Sequence, residues 1–374
     1  MRSLRLGTLS VRDLRNLAEV DLEPGPRLNV LFGDNGQGKT NVLEAIYALC
    51  TTRSFRTSKL GELLRHGHDG GADEAVVASV RGTLIEGDVE RQQSVGFKKG
   101  ARVVRIDGAR PRSLAEYAAR TPVVVFSPGE VGLSMGGGAE RRRLLDRIAL
   151  YRSPATLGDV ESYQRAVRER QRALEVRGEG ATDLGSWEEL IVRHGVAVMD
   201  ARGRAAEPLA EEAVRAFERI AAPGLRLEVA YRASAPRDSE AYGEELRRRR
   251  TSDRRRGSAG IGPHRDDLEL LLDGRPARGV ASQGQHRAIV LALKSAELRV
   301  VGHGREAHPI LLLDDVSSEL DRSRTSAFFA FLHGEEGQVF LTTTRPELIE
   351  ADLVGSPSAR RDFEIVAGRV QRVR

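Results

Sequence analysis

A single cysteine, Cys50, stands in 374 residues, so no disulfide framework can form within the chain and a reducing compartment is expected. Aromatic residues are scarce, at 5%, and none interleave with the basic runs, which argues against base stacking as a main mode of contact. No apolar run approaches the roughly 18 residues that a membrane-spanning helix needs. The opening MRSLRLGTLSVRDLRNL has no continuous apolar core of the signal-peptide kind, so no secretory leader is expected. No internal repeat is evident. Together these absences predict a soluble, cytoplasmic protein. What is present is a 40% hydrophobic composition, sufficient for a sizeable core, and a formal net charge of +5. The length predicts two domains, or one with a large insertion. The charge permits a polyanionic partner without requiring one.

The most informative stretch is GDNGQGKT, residues 33–40. Its pattern is G-x-x-x-x-G-K-T. RLNVLF before it reads as a short buried strand and NVLEAIYALC after it as a helix. Strand, loop and helix is the context that separates a phosphate loop from chance glycines. Gly33, Gly36 and Gly38 let backbone N–H groups turn inward, with Asp34, Asn35 and Gln37 between them. The following helix start, with Asn41, adds unpaired donors and a positive dipole end. Lys39 would reach the β- and γ-phosphates of a nucleotide such as ATP, and the Thr40 hydroxyl would ligate Mg2+.

Along the rest of the chain, AVVASVRG and ARVVRIDG read as strands with KKG as a turn, and TPVVVFSP as a further short strand. From about 139 to 222 the texture becomes helical, rich in Arg, Glu and Ala. Val160, Tyr163 and Val167 form one apolar stripe, and Ala210, Val214, Phe217 and Ala221 another. Prolines and glycines punctuate this region, Pro208 among them, which predicts several short helices rather than one long one. EELRRRRTSDRRRGSAGIG, 244–262, reads as a mobile basic loop or linker. SQGQHRAIVLALKSAELRVV, 282–301, reads as a helix with Ile289, Leu293, Ala296 and Val300 on one face. PILLLDD and QVFLTTT read as short buried strands of a parallel sheet.

ILLLDDVSSELD, 310–321, supplies the partner of the phosphate loop. Four apolar residues deliver Asp314 to the C-terminal edge of the sheet, where a phosphate loop also lies. Asp314 could then hold magnesium. Asp315 could position or deprotonate an attacking water. An acidic pair ending an apolar strand is costly without a cation.

DDVSSELD resembles the run of ABC-type ATPases that joins Walker B to the D-loop, here at Ser318, Leu320 and Asp321. ASQGQ resembles their signature, with Ser282, Gln283, Gly284 and Gln285. In that superfamily the signature sits at a helix start and meets the γ-phosphate held by another subunit. GDNGQGKTNVLEAIYAL, GPHRDDLEL, SQGQHRAIVLALKSAE and LLLDDVSSELD together resemble the RecF family of SMC-like repair ATPases, over most of the chain. The resemblance implies an α/β fold. An ABC-type ATPase head is expected from 1–118 and 262–374, with an inserted, mostly helical lobe over 119–261. Arg15 would reach the γ-phosphate by analogy with SMC-like heads. Lys39, Ser282 and Asp315 would carry catalysis.

Several positions depart from the family pattern. PGEVGLSMGGGAERRRLLD keeps Arg141, Arg142 and Asp146 but lacks the acidic residue after Pro128 and the proline before the arginines. Asp315 stands where ABC enzymes usually carry glutamate and is one methylene shorter, which implies slow hydrolysis. Thr343 or Thr344 stands in the region of the usual switch histidine.

The resemblance further implies an ATP-dependent homodimer that clamps DNA, single-stranded or at linear and gapped duplex junctions. It also implies work with RecO and RecR in loading RecA, in gap repair and the SOS response. Candidate phosphate contacts are Arg141, Arg142 and Arg143, then Arg247, Arg248, Arg249 and Arg250, and Arg254, Arg255 and Arg256. Two other classes share the nucleotide chemistry. A membrane transporter's ATPase subunit fits GPHRDD and DDVSSELD poorly. A long-armed cohesin or Rad50-like ATPase needs continuous heptads that the punctuated middle does not supply.

Overall fold

The computed structural model describes residues 4–65, 78–98, 100–221, 224–303, 308–315, 337–349 and 359–374. In chain order, β1 (Leu4–Leu14), β2 (Leu17–Leu22) and β3 (Leu28–Phe32) lead into α1 (Lys39–Thr51). Next come β4 (Ala78–Glu86), β5 (Val89–Lys98), β6 (Ala101–Ile106), α2 (Leu114–Ala119) and β7 (Val123–Phe126). The middle holds α3 (Gly132–Met135), α4 (Gly138–Arg152), α5 (Ala155–Arg177), α6 (Leu184–Ile220), β8 (Leu227–Arg232), α7 (Ser239–Arg248) and α8 (Arg250–Arg256). After these follow β9 (Asp267–Leu272), β10 (Arg275–Pro276), α9 (Ala277–Val280) and α10 (Gln283–Gly302). The chain closes with β11 (Ile310–Leu313), β12 (Val339–Thr343), β13 (Arg360–Val366) and β14 (Arg369–Arg372).

These elements form two units, one from the segments up to Glu130 and from Val301 onward, the other from Val131–Val300. The division differs from the expected 119 and 262. β7 is pure VVVF and pairs in parallel with β11, so it belongs with the first unit's sheet. β9 pairs with β8, which keeps Asp267–Leu272 in the second unit.

The first unit contains two sheets. One has the order β14-β13-β3-β12-β11-β7 and is parallel except at the β13–β14 hairpin. Its interior strands are apolar runs buried on both faces, as parallel strands require. The other sheet, β2-β1-β4-β5-β6, is antiparallel and alternates buried with exposed residues. Leu6, Val11, Val80, Leu84, Val95 and Phe97 of that sheet share one core with Val42, Ile46 and Leu49 of α1 and with Leu312 and Phe340. Cys50 lies in the same core, and burial pushes its thiol up to about 12, so it is inert at neutral pH.

The second unit corrects the expectation of several short helices. α5 runs 23 residues and α6 runs 37, with Pro208 inside it. Pro208 removes one donor from the ladder. The helix continues because its buried face, including Ala205, Leu209, Ala213, Ala216 and Phe217, packs on neighbouring elements on both sides of that point. That face departs in part from the expected stripe: Phe217 is buried as expected, but Ala213 and Ile220 are buried where Ala210, Val214 and Ala221 are only half-buried. On α10 the expected face holds, with Ile289, Leu293, Ala296 and Val300 all buried.

The segment 244–262 is not a loop over its arginine runs. Asp238 caps α7 by accepting from the Ala241 N–H at 2.9 Å. Arg248 and Arg249 pair with Glu245 one turn back, and Arg250 reaches Glu188 on α6 at 2.5 Å. Arg170 of α5 is buried between Glu188 and Asp253, at 3.0 and 2.8 Å. Carboxylate pairing of Arg248, Arg249 and Arg250 neutralises the middle of this basic run.

Candidate nucleotide site and signature loop

β3 ends at Phe32 and the chain turns sharply through Gly33, whose φ is 142°. A side chain there would strike the Ile365 carbonyl of β13, so only glycine fits. Gly38, at φ 115°, is the residue before α1 and lies against the Asn16 side chain. Among the described residues, no side chain caps α1 and no acidic residue stands in its first turn. Its first N–H groups and dipole end are therefore left for an anion.

Lys39 folds back over the loop and donates to the carbonyls of Gly33 and Asp34 at 2.7 and 2.8 Å. Burial lowers its pKa, while Asp315, Asp314 and Asp34 oppose that shift. Thr40 Oγ1 donates to Asp314 Oδ1 at 2.7 Å. Thr342, at the end of β12, lies 3.0 Å from the same oxygen, and its hydroxyl accepts the Asp315 N–H at 2.8 Å. Asp314 is buried, and burial raises its pKa against the pull of the Thr40 and Thr342 hydroxyls. Asp315 takes the left-handed backbone conformation, φ 48°, at the end of the run. The turn it makes redirects the chain immediately after the Asp314 carboxylate.

A second group of residues braces the loop. Gln37 is clasped by the β13–β14 turn: Ala367 N–H donates to its side chain at 2.6 Å and Gly368 N–H to its carbonyl at 2.9 Å. Asn16 donates to the same carbonyl at 3.1 Å and accepts from Asn41 at 2.7 Å. Arg15, in the β1–β2 turn, gives Nε and Nη2 to the Glu44 carboxylate at 2.9 and 3.0 Å. Glu44 is fully buried on α1 and also accepts from Ser54. Asn35 and Gly36 face solvent at the loop tip.

Sequence reasoning passed over Asn16, Glu44 and Thr342. A lone acid inside NVLEAIYALC and a threonine run ending an apolar strand are the signals that mark them. Thr343 is buried, with its hydroxyl accepting from the Arg345 N–H, while Thr344 is exposed. Ser318, Leu320 and Asp321 lie outside the described residues.

In the second unit, Ser282 and Gln285 make a reciprocal capping box at the start of α10. Ser282 N–H donates to Gln285 Oε1 at 2.7 Å, and Gln285 N–H to Ser282 Oγ at 3.3 Å. Ser282 and Gln283 are exposed, with Gly284 half-buried behind them. Of the arginines expected at a polyanion surface, Arg141 is buried. Its Nε and Nη2 grip Asp267 at 2.7 and 2.8 Å and its Nη1 donates to the Leu133 and Gly136 carbonyls. Arg142 donates to the Asp266 carbonyl, and Arg143 is exposed beside Glu140. Arg247, Arg254, Arg255 and Arg256 are exposed and carry no ion pair among the described residues.

The chain matches the profile of the RecF/RecN/SMC N-terminal domain over residues 5–355. The DNA replication and repair protein RecF of Anaeromyxobacter sp. strain Fw109-5 is 42% identical over 365 residues, covering 93% of this chain and 94% of that one. The RecF of Geobacter sp. strain M21 is 34% identical over 374 residues, covering 98% and 100%. A solved RecF with ATP, described as the recombination mediator protein of the RecFOR pathway, superimposes with a TM-score of 0.86 at 30% identity, covering 100% and 98%. An SMC head bound to the C-winged helix domain of ScpA shares the fold, at a TM-score of 0.54 and 16% identity, covering 98% and 97%. Among the described residues no helix is long and apolar enough to cross a membrane. The phosphate loop, the Thr40–Asp314 pair and the full-length likeness converge: the chain belongs to the RecF family of DNA replication and repair proteins, built on an SMC-like ATPase fold.

Proposed function

We propose that this chain is an ATP-gated DNA clamp. The observation that carries the reading is the bond between Thr40 of the phosphate loop and Asp314 of the β11 end. It gathers hard oxygen donors beside a glycine cradle, a set suited to Mg2+. Bound there with ATP, magnesium would neutralise phosphate charge and polarise the γ-phosphoryl group. The N–H groups of residues 33–40 and the Lys39 ammonium would hold the triphosphate. Asp315 would orient the attacking water, and its short side chain supports slow hydrolysis rather than rapid turnover. Ser282 and the Gly284 N–H of a second copy would complete the site, so that ATP joins two chains and hydrolysis releases them.

DNA would meet surfaces where cations lack carboxylate partners. Arg247 and Arg254 to Arg256 are exposed cations of this kind among the described residues. The outer face of the antiparallel sheet offers another, a cleft of about 680 Å³ lined by Thr8, Ser79, Thr83, Ser94, Arg81 and Arg105, with no carboxylate in its lining. Short hydroxyl side chains allow a sugar–phosphate backbone to approach closely. By likeness to the RecF relatives, the chain would act in the cytoplasm with RecO and RecR to promote RecA loading at gapped DNA.

Analytical sedimentation with ATP and magnesium, with and without gapped duplex, tests this reading. Nucleotide should drive dimerisation, gapped DNA should strengthen it, and Ser282→Arg should abolish it. A monomer at saturating ATP and DNA would refute the clamp.

A further inference from the structure

His286 is the first fully buried side chain of α10 and sits one position beyond the Ser282–Gln285 capping box. A buried imidazole must account for its ring nitrogens. Here Nδ1 meets Ser134 Oγ at 2.7 Å, with Ser134 1% and His286 3% exposed. Burial holds the imidazole pKa below its ordinary value, so the ring is neutral at physiological pH. The bond is thus a neutral, desolvated one, the kind whose loss leaves an orphaned polar atom.

Ser134 lies on α3, a single turn that has little stability of its own. Its rigidity is borrowed. Arg141 Nη1 donates to the Leu133 carbonyl at 2.9 Å and to the Gly136 carbonyl at 3.1 Å, holding the turn from both sides of Ser134. The other edge of the same guanidinium makes the bidentate pair with Asp267, the first residue of β9. Planar, two-point recognition of this sort fixes orientation as well as distance. A continuous line of contacts therefore runs from Asp267 through Arg141, the α3 backbone and Ser134 to His286. It ends at the turn that displays Ser282.

We propose that Ser134 and His286 are positioning residues for the signature tip: they register the first turn of α10 against the Arg141-anchored α3, so that Ser282 and the Gly284 N–H meet a partner's γ-phosphate in one geometry. This rests on the reading that the signature acts on nucleotide held by a second copy. The capping box closes the helix start but leaves its lateral position open, and helix ends fray. Donors that are already in place stabilise a developing charge far more than donors that must first be ordered.

The test uses the full chain with ATP and magnesium. Ser134→Ala and His286→Leu remove the bond. Ser134→Thr keeps the hydroxyl, and His286→Asn keeps a polar atom near the Nδ1 position. Self-association is measured by sedimentation equilibrium, and ATP affinity by fluorescent nucleotide at protein concentrations too low to dimerise. Ser134→Ala and His286→Leu should weaken ATP-driven dimerisation about tenfold, the scale of one buried hydrogen bond. ATP affinity should stay within about twofold, and the conservative variants should recover dimerisation. Unchanged dimerisation in Ser134→Ala overturns the proposal. So does a loss that Ser134→Thr fails to recover, or one matched by an equal loss of ATP affinity. Wild type and Ser282→Arg run alongside separate the two ideas. Loss of the dimer in Ser282→Arg with none in Ser134→Ala sinks only the positioning role. Retention of the dimer in Ser282→Arg sinks the reading beneath it.

Discussion

Thr40 and Asp314 lie 274 positions apart in the chain and share a 2.7 Å hydrogen bond between Oγ1 and Oδ1. The bond closes the gap between the start of α1 and the end of β11, and Thr342 shores up the same carboxylate from β12. The arrangement buries the Asp314 carboxylate, and its negative charge with it, between two threonine hydroxyls.

That charge has a measurable consequence. Burial raises the Asp314 pKa above its ordinary 3.8, so the folded chain holds this proton more tightly than the unfolded one. The stabilisation from this group is present in acid and is lost as pH rises from about 3.8 through the raised value. At neutral pH without ligand, Asp314→Asn should therefore melt at or above wild type. With ATP and magnesium the order should reverse. Wild type should gain about 2.7 kcal/mol at a hundredfold excess over Kd, and the variant little. Differential scanning calorimetry, with and without the ligands, gives both comparisons.

Lys39 bridges the loop carbonyls of Gly33 and Asp34, where the proposed function has it hold the triphosphate. Lys39→Met should lower ATP affinity by about a hundredfold or more, given the value of a desolvated charged hydrogen bond. Fluorescent-nucleotide titration measures it. Retained affinity would mean that the backbone cradle suffices alone.

The Gln37 clasp predicts a smaller effect. Gln37→Ala removes the acceptor of the Ala367 N–H, and one such bond is worth about 0.5–1.5 kcal/mol. ATP affinity should fall about two- to tenfold with the melting temperature nearly unchanged, as read by the same titration.

In the second unit, Arg170 is buried between Glu188 and Asp253. Arg170→Ala leaves the buried Asp253 without its cation, while Glu188 keeps Arg250, and should cost about 3–5 kcal/mol in chemical denaturation. A Glu188→Gln, Asp253→Asn background should recover part of the loss.

The exposed arginines separate by their partners. Neutralising Arg254, Arg255 and Arg256 to glutamine should flatten the salt dependence of DNA affinity, by up to about 0.9 in log–log slope for each phosphate they neutralise in the wild type. Stability should not change. Arg250→Gln, which breaks a pair with Glu188, should instead lower the melting temperature. An unchanged salt slope in the triple variant would remove α8 from the DNA surface.

Much of the first unit was legible in the chain because its rules are local. GDNGQGKT between RLNVLF and NVLEAIYALC announces strand, loop and helix, and ILLLDD and VFLTTT announce buried parallel strands that end in polar groups. SQGQH announces a capped helix start. The bracing of the loop was not legible, because Gln37 finds Ala367 and Arg15 finds Glu44 only once the sheet has formed.

The second unit was harder to read for a different reason. Pro208 and the arginine runs are local signals against a long helix and against α8, and tertiary pairing overrode both. Glu188 on α6 answers Arg250 62 positions away, and nothing nearby in sequence marks that meeting. The partial departure of the α6 face from its expected stripe arises in the same way. Alanines lie on both sides of the stripe, and only the packing of β8, α4 and α5 decides which are covered.

The strand that carries the phosphate loop spans Leu28–Phe32, yet both of its neighbours, β12 and β13, come from beyond residue 338. During synthesis β3 has no partner on one edge until β12 is made, and none on the other until translation has passed Val366. A product terminated before Val339 would therefore carry the glycine loop but neither of the strands that flank β3 in the sheet.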